Sequence, residues 1–362
     1  MTALGELARV RKENLVAEKR EPLRPHILTT NELVKKDIPP RKAIVEPWLL
    51  ESSLGWIFAK RGIGKTWLVM HLAMTLAKGE ATFLVYGVPQ RRNVLFVDGE
   101  MALADLKERF SGLASSQPNN LFLLPSESLF QSSMPLAIDD TSDQEAVLEA
   151  LATLENEGTP IDLIILDNLS SLRRGVDEND NSQLDSLLSW LISLRHSGYS
   201  VLLVHHENKS GGFRGASRIE VPFDYAIQLL EPEKEEAGHH LGAQFNMTFT
   251  KLRGKPPDIM ETNIRLEVGQ RGELEFTYRP RINAPPHIKL LRLLGTRPIR
   301  SQREAAEYLG KSVGATNKWL KQLRREGLIG QKDYTPTNAG GVELHRRYPA
   351  EFAKVEPEEF PF

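Results

Sequence analysis

Eight consecutive residues, Ala59-Lys60-Arg61-Gly62-Ile63-Gly64-Lys65-Thr66, have the composition of a loop that holds phosphate. Glycines let backbone N–H groups turn toward one point, and the start of a following helix adds its dipole. A lysine supplies a compact positive charge, and a terminal threonine offers a hydroxyl to a metal ion. The pattern G-x-x-x-x-G-K-[ST] is met at every position but the first, where Ala59 stands for glycine. A side chain that small fits where a loop leaves a strand. The chemistry implied is binding of ATP with Mg2+. Residues 59–66 and the adjoining Trp67 would contact the nucleotide, with Lys65 facing the β- and γ-phosphates and Thr66 on the metal.

Three apolar runs end in residues that could act on such a ligand. Ile161-Asp162-Leu163-Ile164-Ile165-Leu166-Asp167 places an acid at a strand's C-terminal edge, where open α/β sheets bind ligands. Asp167 is therefore the candidate carboxylate for Mg2+, directly or through water. Asn93-Val94-Leu95-Phe96-Val97-Asp98-Gly99-Glu100 ends in two acids. Hydrolysis needs a carboxylate close to the γ-phosphate that is not tied to the metal, and Glu100 is the candidate general base. Asp98 is assigned a structural role. Val201-Leu202-Leu203-Val204-His205-His206 ends in two histidines, of which His206 is the candidate for contact with the γ-phosphate through a neutral imidazole.

Cations follow in two places. The glycine-rich stretch 207–218 carries Lys209, Arg214 and Arg218, the candidate contacts to single-stranded nucleic acid. Thr250-Lys251-Leu252-Arg253-Gly254 sets two cations two residues apart, hence on one face if the segment is a strand. In a ring or filament, Lys251 and Arg253 could reach a neighbouring subunit's nucleotide and stabilise transition-state charge.

The elements that must position these residues follow from periodicity. Strands are predicted at 55–59, 93–97, 121–124, 163–166 and 200–204, with helices at 65–77, 102–114, 142–157 and 182–196 between them. That alternation predicts an α/β fold with a mostly parallel sheet covered by helices. Four more strands, at 225–230, 244–252, 263–268 and 273–278, follow with short turns.

Past the proline-rich break at 280–286 comes a compact module. Helices are predicted at 287–294, 301–309 and 313–326, then a strand-like wing at 328–334, the spacing of a winged helix-turn-helix. From Pro285 to Lys332 there are eleven Lys or Arg against three acids, a charge excess suited to phosphate contact. The third helix carries Thr316, Asn317, Lys318, Lys321 and Arg324; Lys318, Lys321 and Arg324 are the candidate duplex-DNA contacts. The expected domains are an arm over 1–45, an ATPase domain over 46–280, the winged module over 281–348 and an acidic tail over 349–362. The arm is expected to carry a mildly amphipathic helix near its start and an extended lead-in from 24 to 45.

Composition sets the limits. Hydrophobic residues make up 40% and charged residues 26%, ordinary for a globular protein, and the formal net charge is −2. With no cysteine there is no disulfide framework and no thiolate chemistry. Neither a leader peptide nor an apolar run of membrane-spanning length is evident, so the expectation is a cytoplasmic protein with no membrane partner.

The order of these motifs resembles the RecA-like ATPases of the DnaB/RadA/KaiC branch, and within it the RepA-type hexameric replicative helicases and their AAA_25-type relatives. The resemblance spans residues 45–280. It is carried by 59–66, 94–100, 161–167, by His206 with Lys209 and Arg214-Gly215-Ala216-Ser217, and by Lys251-x-Arg253-Gly254. It implies a homo-oligomer, a hexamer by analogy, with ATP between subunits and single-stranded DNA drawn through the centre. Ala59 departs from the family pattern, as does His206, where many relatives have glutamine. The winged module lies outside the resemblance. A DNA-binding regulator under ATP control and a KaiC-like signalling ATPase acting on proteins are the alternatives.

Overall fold

The computed structural model describes residues 23–173, 181–206, 222–232, 243–269, 272–281 and 285–347. The chain divides into a unit of residues 1–41 and a unit of residues 42–362. The predicted helix near the N-terminus and the acidic tail lie outside the described residues. The lead-in is not simply extended. Thr29 opens a helix, Thr30–Lys35, with a reciprocal cap: its Oγ1 accepts from Glu32 N at 3.2 Å and its own N donates to Glu32 Oε2 at 2.6 Å.

The second unit is built on nine strands: β1 (Leu54–Ala59), β2 (Val94–Asp98), β3 (Leu121–Pro125), β4 (Leu163–Asp167), β5 (Ser200–His206), β6 (Tyr225–Leu230), β7 (Gln244–Leu252), β8 (Glu261–Val268) and β9 (Leu274–Arg281). They form one sheet in the order β9-β8-β7-β6-β1-β5-β4-β2-β3. The ladders from β6 through to β3 are parallel, and β7, β8 and β9 extend one side antiparallel. The predicted α/β class with a mostly parallel sheet is what the structure shows.

Both faces of the central strands are buried, which explains why they read as continuous apolar runs rather than as alternations. On one face Ile57, Phe96, Ile165 and Val204 pack with α1 (Lys65–Lys78) and α2 (Leu103–Leu113) through Leu68, Leu72, Leu106 and Phe110. On the other, Trp56, Val97, Leu166 and Leu203 pack with α3 (Thr141–Asn156) and α4 (Asn181–His196) through Val147, Leu151, Trp190 and Leu194. Alternate residues of a strand belong to opposite layers, as the two-residue period requires. Two short hairpins (Ala43–Val45 with Leu49–Leu50, and Thr82–Phe83 with Tyr86–Gly87) and a helix, Ser126–Gln131, have no counterpart among the elements expected from periodicity.

A buried guanidinium joins the ends of the strands away from the phosphate loop. Arg92, 4% exposed, donates through Nη1 to Glu51 at 2.7 Å and Asp162 at 3.0 Å, and through Nη2 to the Ala43 carbonyl at 3.2 Å. Asp162 also accepts from Asn93 N at 2.8 Å.

Beyond β9 lie α5 (Pro286–Thr296), α6 (Gln302–Tyr308), α7 (Val313–Arg325) and α8 (Asn338–Arg347). Ile288, Leu291, Leu320, Leu323, Ile329 and Leu344 form their own core. Ser301 and Ser312 cap α6 and α7 by accepting from Glu304 N and Ala315 N. The predicted strand-like wing at 328–334 is reduced to a single antiparallel bridge between Ile329 and Pro336. Its stretch bends instead around Gly330 and Asp333, and α8 follows where no element was foreseen. Among the described residues no helix is long and apolar enough to cross a membrane.

Candidate active site

Register brings the candidate residues to one edge. Ala59, last in β1, pairs with His206, last in β5. Asp167, last in β4, pairs with Asp98, last in β2. Parallel strands all end on the same side, so four strand-terminal side chains are set in a row beneath the loop that leaves β1.

That loop is shaped by its glycines. Gly62 has φ +80° and Gly64 φ +114°, left-handed values that disfavour a side chain. Gly64 is also the N-cap of α1, and a Cβ there would stand 2.5 Å from the Cβ of Ala243. Lys65, 4% exposed, folds back so that Nζ donates to the carbonyls of Lys60 at 2.9 Å and Ala59 at 3.1 Å. Lys60 reaches out of the loop to Glu231 at 3.4 Å on the surface, and Ile63 packs into the core.

A cleft of about 370 Å³ opens over this edge. Arg61, Gly62, Gly64, Lys65, Thr66 and Trp67 line one side, with Asp98, Glu100, Asp167 and His206 below. Opposite them α2 contributes Asp105 and Arg109, which the sequence motifs did not single out. The guanidinium of Arg109 lies 4.9 Å above the ring of Trp67. The (i, i+4) spacing of Asp105 and Arg109 puts them on one face of α2, but only the docking of that helix decides which face meets the cleft.

The electrostatics are those of a cation site. Asp167 is 3% exposed; burial pushes its carboxyl up to about 7, against the pull of a hydrogen bond from Thr66 and the charge of Lys65. Asp98, 1% exposed, is pushed up to about 6 by burial although it accepts from Met101 N at 2.9 Å and Glu100 N at 3.3 Å. The Oδ2 of Asp167 is buried with no hydrogen-bond partner among the described residues. A buried carboxylate oxygen left open beside a threonine hydroxyl fits a hard divalent cation, so Thr66 and Asp167 are the residues that would hold Mg2+.

Glu100 and His206 meet. His206 Nε2 stands 3.7 Å from Glu100 Oε2. Burial lowers the His206 pKa, with Lys65 acting in the same direction and Glu100 opposing. His205 lies against Trp56, ring centres 5.4 Å apart, and burial takes it down to about 3. Both imidazoles are thus held toward the neutral form. Glu100 has a further partner that the sequence did not advertise: Asn168 Nδ2 donates to its Oε2 at 2.6 Å.

Lys251 and Arg253 are not brought to this cleft. β7 runs antiparallel to β6, so its end lies at the opposite side of the sheet, with Leu252 paired to Tyr225. The strand also stops at Leu252, leaving Arg253 in a bend, so the two cations do not share a strand face as expected. Lys209, Arg214 and Arg218 lie outside the described residues.

On α7, Lys318 and Lys321 border a groove of about 420 Å³ together with Asn317, Gln322 and Arg325. Arg324 does not. Its Nε and Nη2 donate to the carbonyls of Gly330 at 3.4 Å and Asp333 at 3.3 Å, and its guanidinium sits over Tyr334. Thr316 is fully buried, its hydroxyl bonded to the Ser312 carbonyl at 3.1 Å. Helical phase turns Arg325 rather than Arg324 toward the groove.

A family model described as AAA domain (AAA_25) matches residues 18–212. No curated protein matches. Among solved structures, a KaiC-like protein from Pyrococcus horikoshii is 14% identical with a TM-score of 0.46, over 67% of this chain and 99% of that one. The flagellar accessory protein FlaH from Methanocaldococcus jannaschii is 15% identical with a TM-score of 0.43, over 64% of this chain and 91% of that one.

Proposed function

Because the chain belongs to the AAA_25 family of AAA domains, we propose that it is an oligomeric, DNA-dependent ATPase. In this reading it is a RepA-like helicase or DNA-remodelling motor for replication or recombination of a plasmid or other mobile element. The observation that carries it is the convergence of Lys65, Thr66, Asp167, Glu100 and His206 on one strand edge.

The loop's N–H groups and Lys65 bind the β- and γ-phosphates, Lys65 leaving the carbonyls it contacts here. Mg2+, when bound by Thr66 and Asp167, neutralises charge on the phosphate oxygens. Glu100 accepts a proton from the attacking water as its oxygen bonds to the γ-phosphorus and the bond to the ADP oxygen breaks. His206 donates to the γ-phosphate and registers its departure at the end of β5, from which the 207–218 segment continues. Lys251 and Arg253 act on the nucleotide of the next protomer in a homo-oligomer, a hexamer in this reading. Residues 46–280 are the ATPase domain, 281–348 a winged helix module and 1–45 an arm.

The cationic groove on α7 favours a second reading, a regulator in which ATP controls assembly and α7 contacts duplex DNA. One experiment separates the readings. ATP turnover and strand displacement are measured on the full chain with no DNA, with single strands and with a forked duplex. The motor reading requires turnover that rises several-fold with single strands, and displacement that requires ATP. Duplex binding without displacement supports the regulator. Turnover indifferent to every DNA leaves a KaiC-like signalling role on proteins.

A further inference from the structure

Asn168 follows the metal-site acid Asp167 directly and is 3% exposed. Its two side-chain atoms do different things. Oδ1 accepts from the backbone N of Ser170 at 3.0 Å and of Ser171 at 3.3 Å, so it caps the turn that leaves β4. An atom facing two N–H donors must be the oxygen, which fixes the other as the NH2 donor. That donor points at Glu100 Oε2, 2.6 Å away. The amide is thus a bridge between a buried turn and a side chain that is itself 63% exposed.

Exposure is the difficulty this bridge resolves. A glutamate side chain has three rotatable bonds, and in open solvent it spreads over several staggered arrangements. Proton transfer needs its oxygen within about 3 Å of the attacking water. Among the described residues the carboxylate's neighbours are Asn168, at hydrogen-bond distance, and His206, at 3.7 Å, both on the same oxygen. Oε1 is left open.

We propose that Asn168 is a positioning residue for hydrolysis: its NH2 group anchors Oε2 of Glu100 so that Oε1 faces the attacking water. The proposal rests on the reading of Glu100 as the general base. Asn168 touches neither substrate nor metal in this role. Its carbonyl holds the turn, and its amide nitrogen aims the base. The two functions are separable because they use different atoms.

The test uses the full chain at saturating ATP and Mg2+, as a double-mutant cycle with Glu100→Gln. Asn168→Asp keeps an oxygen on the Ser170 and Ser171 N–H groups but replaces the donor with a second acceptor that repels the carboxylate. It should lower kcat about 10- to 100-fold, the scale for a hydrogen bond to a charged group. Binding of a fluorescent ATP analogue should stay at the wild-type value, and any fall in melting temperature from the added buried carboxylate is carried equally by both backgrounds. In the Glu100→Gln background the same change should cost less than twofold. Asn168→Ala, which also loses the cap, is run through the same cycle, so that a folding defect is carried equally by both backgrounds and cancels. Its loss must be at least fivefold smaller beside Glu100→Gln than beside Glu100. The proposal is overturned if Asn168→Asp turns over within twofold of wild type while Glu100→Gln is impaired. Equal losses in both backgrounds also overturn it. Full turnover by Glu100→Gln alone would instead remove the base assignment beneath it, a separate and recognisable failure.

Discussion

Lys251 pairs with Ala226 near the start of β6, the end of the sheet farthest from the phosphate loop. Seven steps along β7 separate Lys251 from Gln244, whose neighbour Ala243 lies against Gly64 of the loop, a span of roughly 23 Å at the usual strand rise. A cation so placed cannot serve the nucleotide of its own chain without dismantling the sheet. On the proposed action of Arg253 at the next protomer's nucleotide, Arg253→Ala alone should bring turnover to background. Mixed with Glu100→Gln, it should regain part of the activity, because some interfaces then pair an intact Glu100 with an intact Arg253. Turnover titrated against mixing ratio checks this, and a flat baseline at every ratio would argue for a role within one chain.

Loop and base are separable by their kinetics. Lys65→Ala removes the charge that faces the phosphates and should weaken nucleotide binding and bring turnover to background. Glu100→Gln should bind nucleotide normally while kcat falls by about 10^2 or more, the scale of a lost general base. Equilibrium binding beside steady-state kinetics distinguishes the two.

Gly55 makes a prediction about stability alone. A Cβ at this position would fall 2.0 Å from the ring and hydroxyl of Tyr225, itself fully buried on the neighbouring strand. Gly55→Ala should lower stability by about 1–3 kcal/mol, as overpacked cores do. Tyr225→Leu in the same chain should recover part of that loss. Urea midpoints of the two variants provide the measurement.

His71 should make the fold acid-sensitive. It stacks on Phe276 at 4.5 Å, and burial, with Lys78 adding to it, holds its imidazole down to about 4. The unfolded chain takes up this proton near pH 6.5 and the folded chain only near 4. Its contribution is thus fully present above pH 6.5 and is lost as pH falls toward 4, up to ~3 kcal/mol. Asp98 and Asp167, raised by burial, slope the other way, since protonation favours the folded state. The difference in stability between the parent and His71→Phe isolates the histidine and should diminish between about pH 7 and about pH 4.5. Parallel curves would show that the ring ionises alike in both states.

The α7 groove makes a prediction about salt. Lys318→Ala with Lys321→Ala should weaken duplex binding uniformly across sequences. It should also flatten the dependence on salt by about one counterion for each phosphate no longer neutralised. Arg324→Ala should act through the 330–334 turn, lowering the melting temperature. Binding isotherms at several salt concentrations distinguish the two.

How much of this architecture is legible in the chain's sequence divides along physical lines. Strands buried on both faces leave continuous apolar runs, and their last residues fall on one edge by register. The positions of Asp98, Asp167 and His206 at that edge were therefore legible, with Glu100 two residues past the end of β2. Asn168 was not, though it adjoins Asp167, because sequence does not say which loop side chain turns back. Asp105 and Arg109 escaped because their direction depends on how α2 docks. The short helix after Thr29 was missed despite its Thr-x-x-Glu signature, overshadowed by the prolines around it. The wing was over-read: a basic stretch after a helix carries charge but not pairing, and one bridge is what forms.

Arg92 ties together the entries to three strands of the sheet, through Glu51 ahead of β1, Asp162 ahead of β4 and its own place ahead of β2. That rim of the molecule is a chassis. In the proposed motor, a stroke released when the terminal phosphate departs would start from the opposite rim, where β5 ends at His206, because the rim held by Arg92 is already fastened.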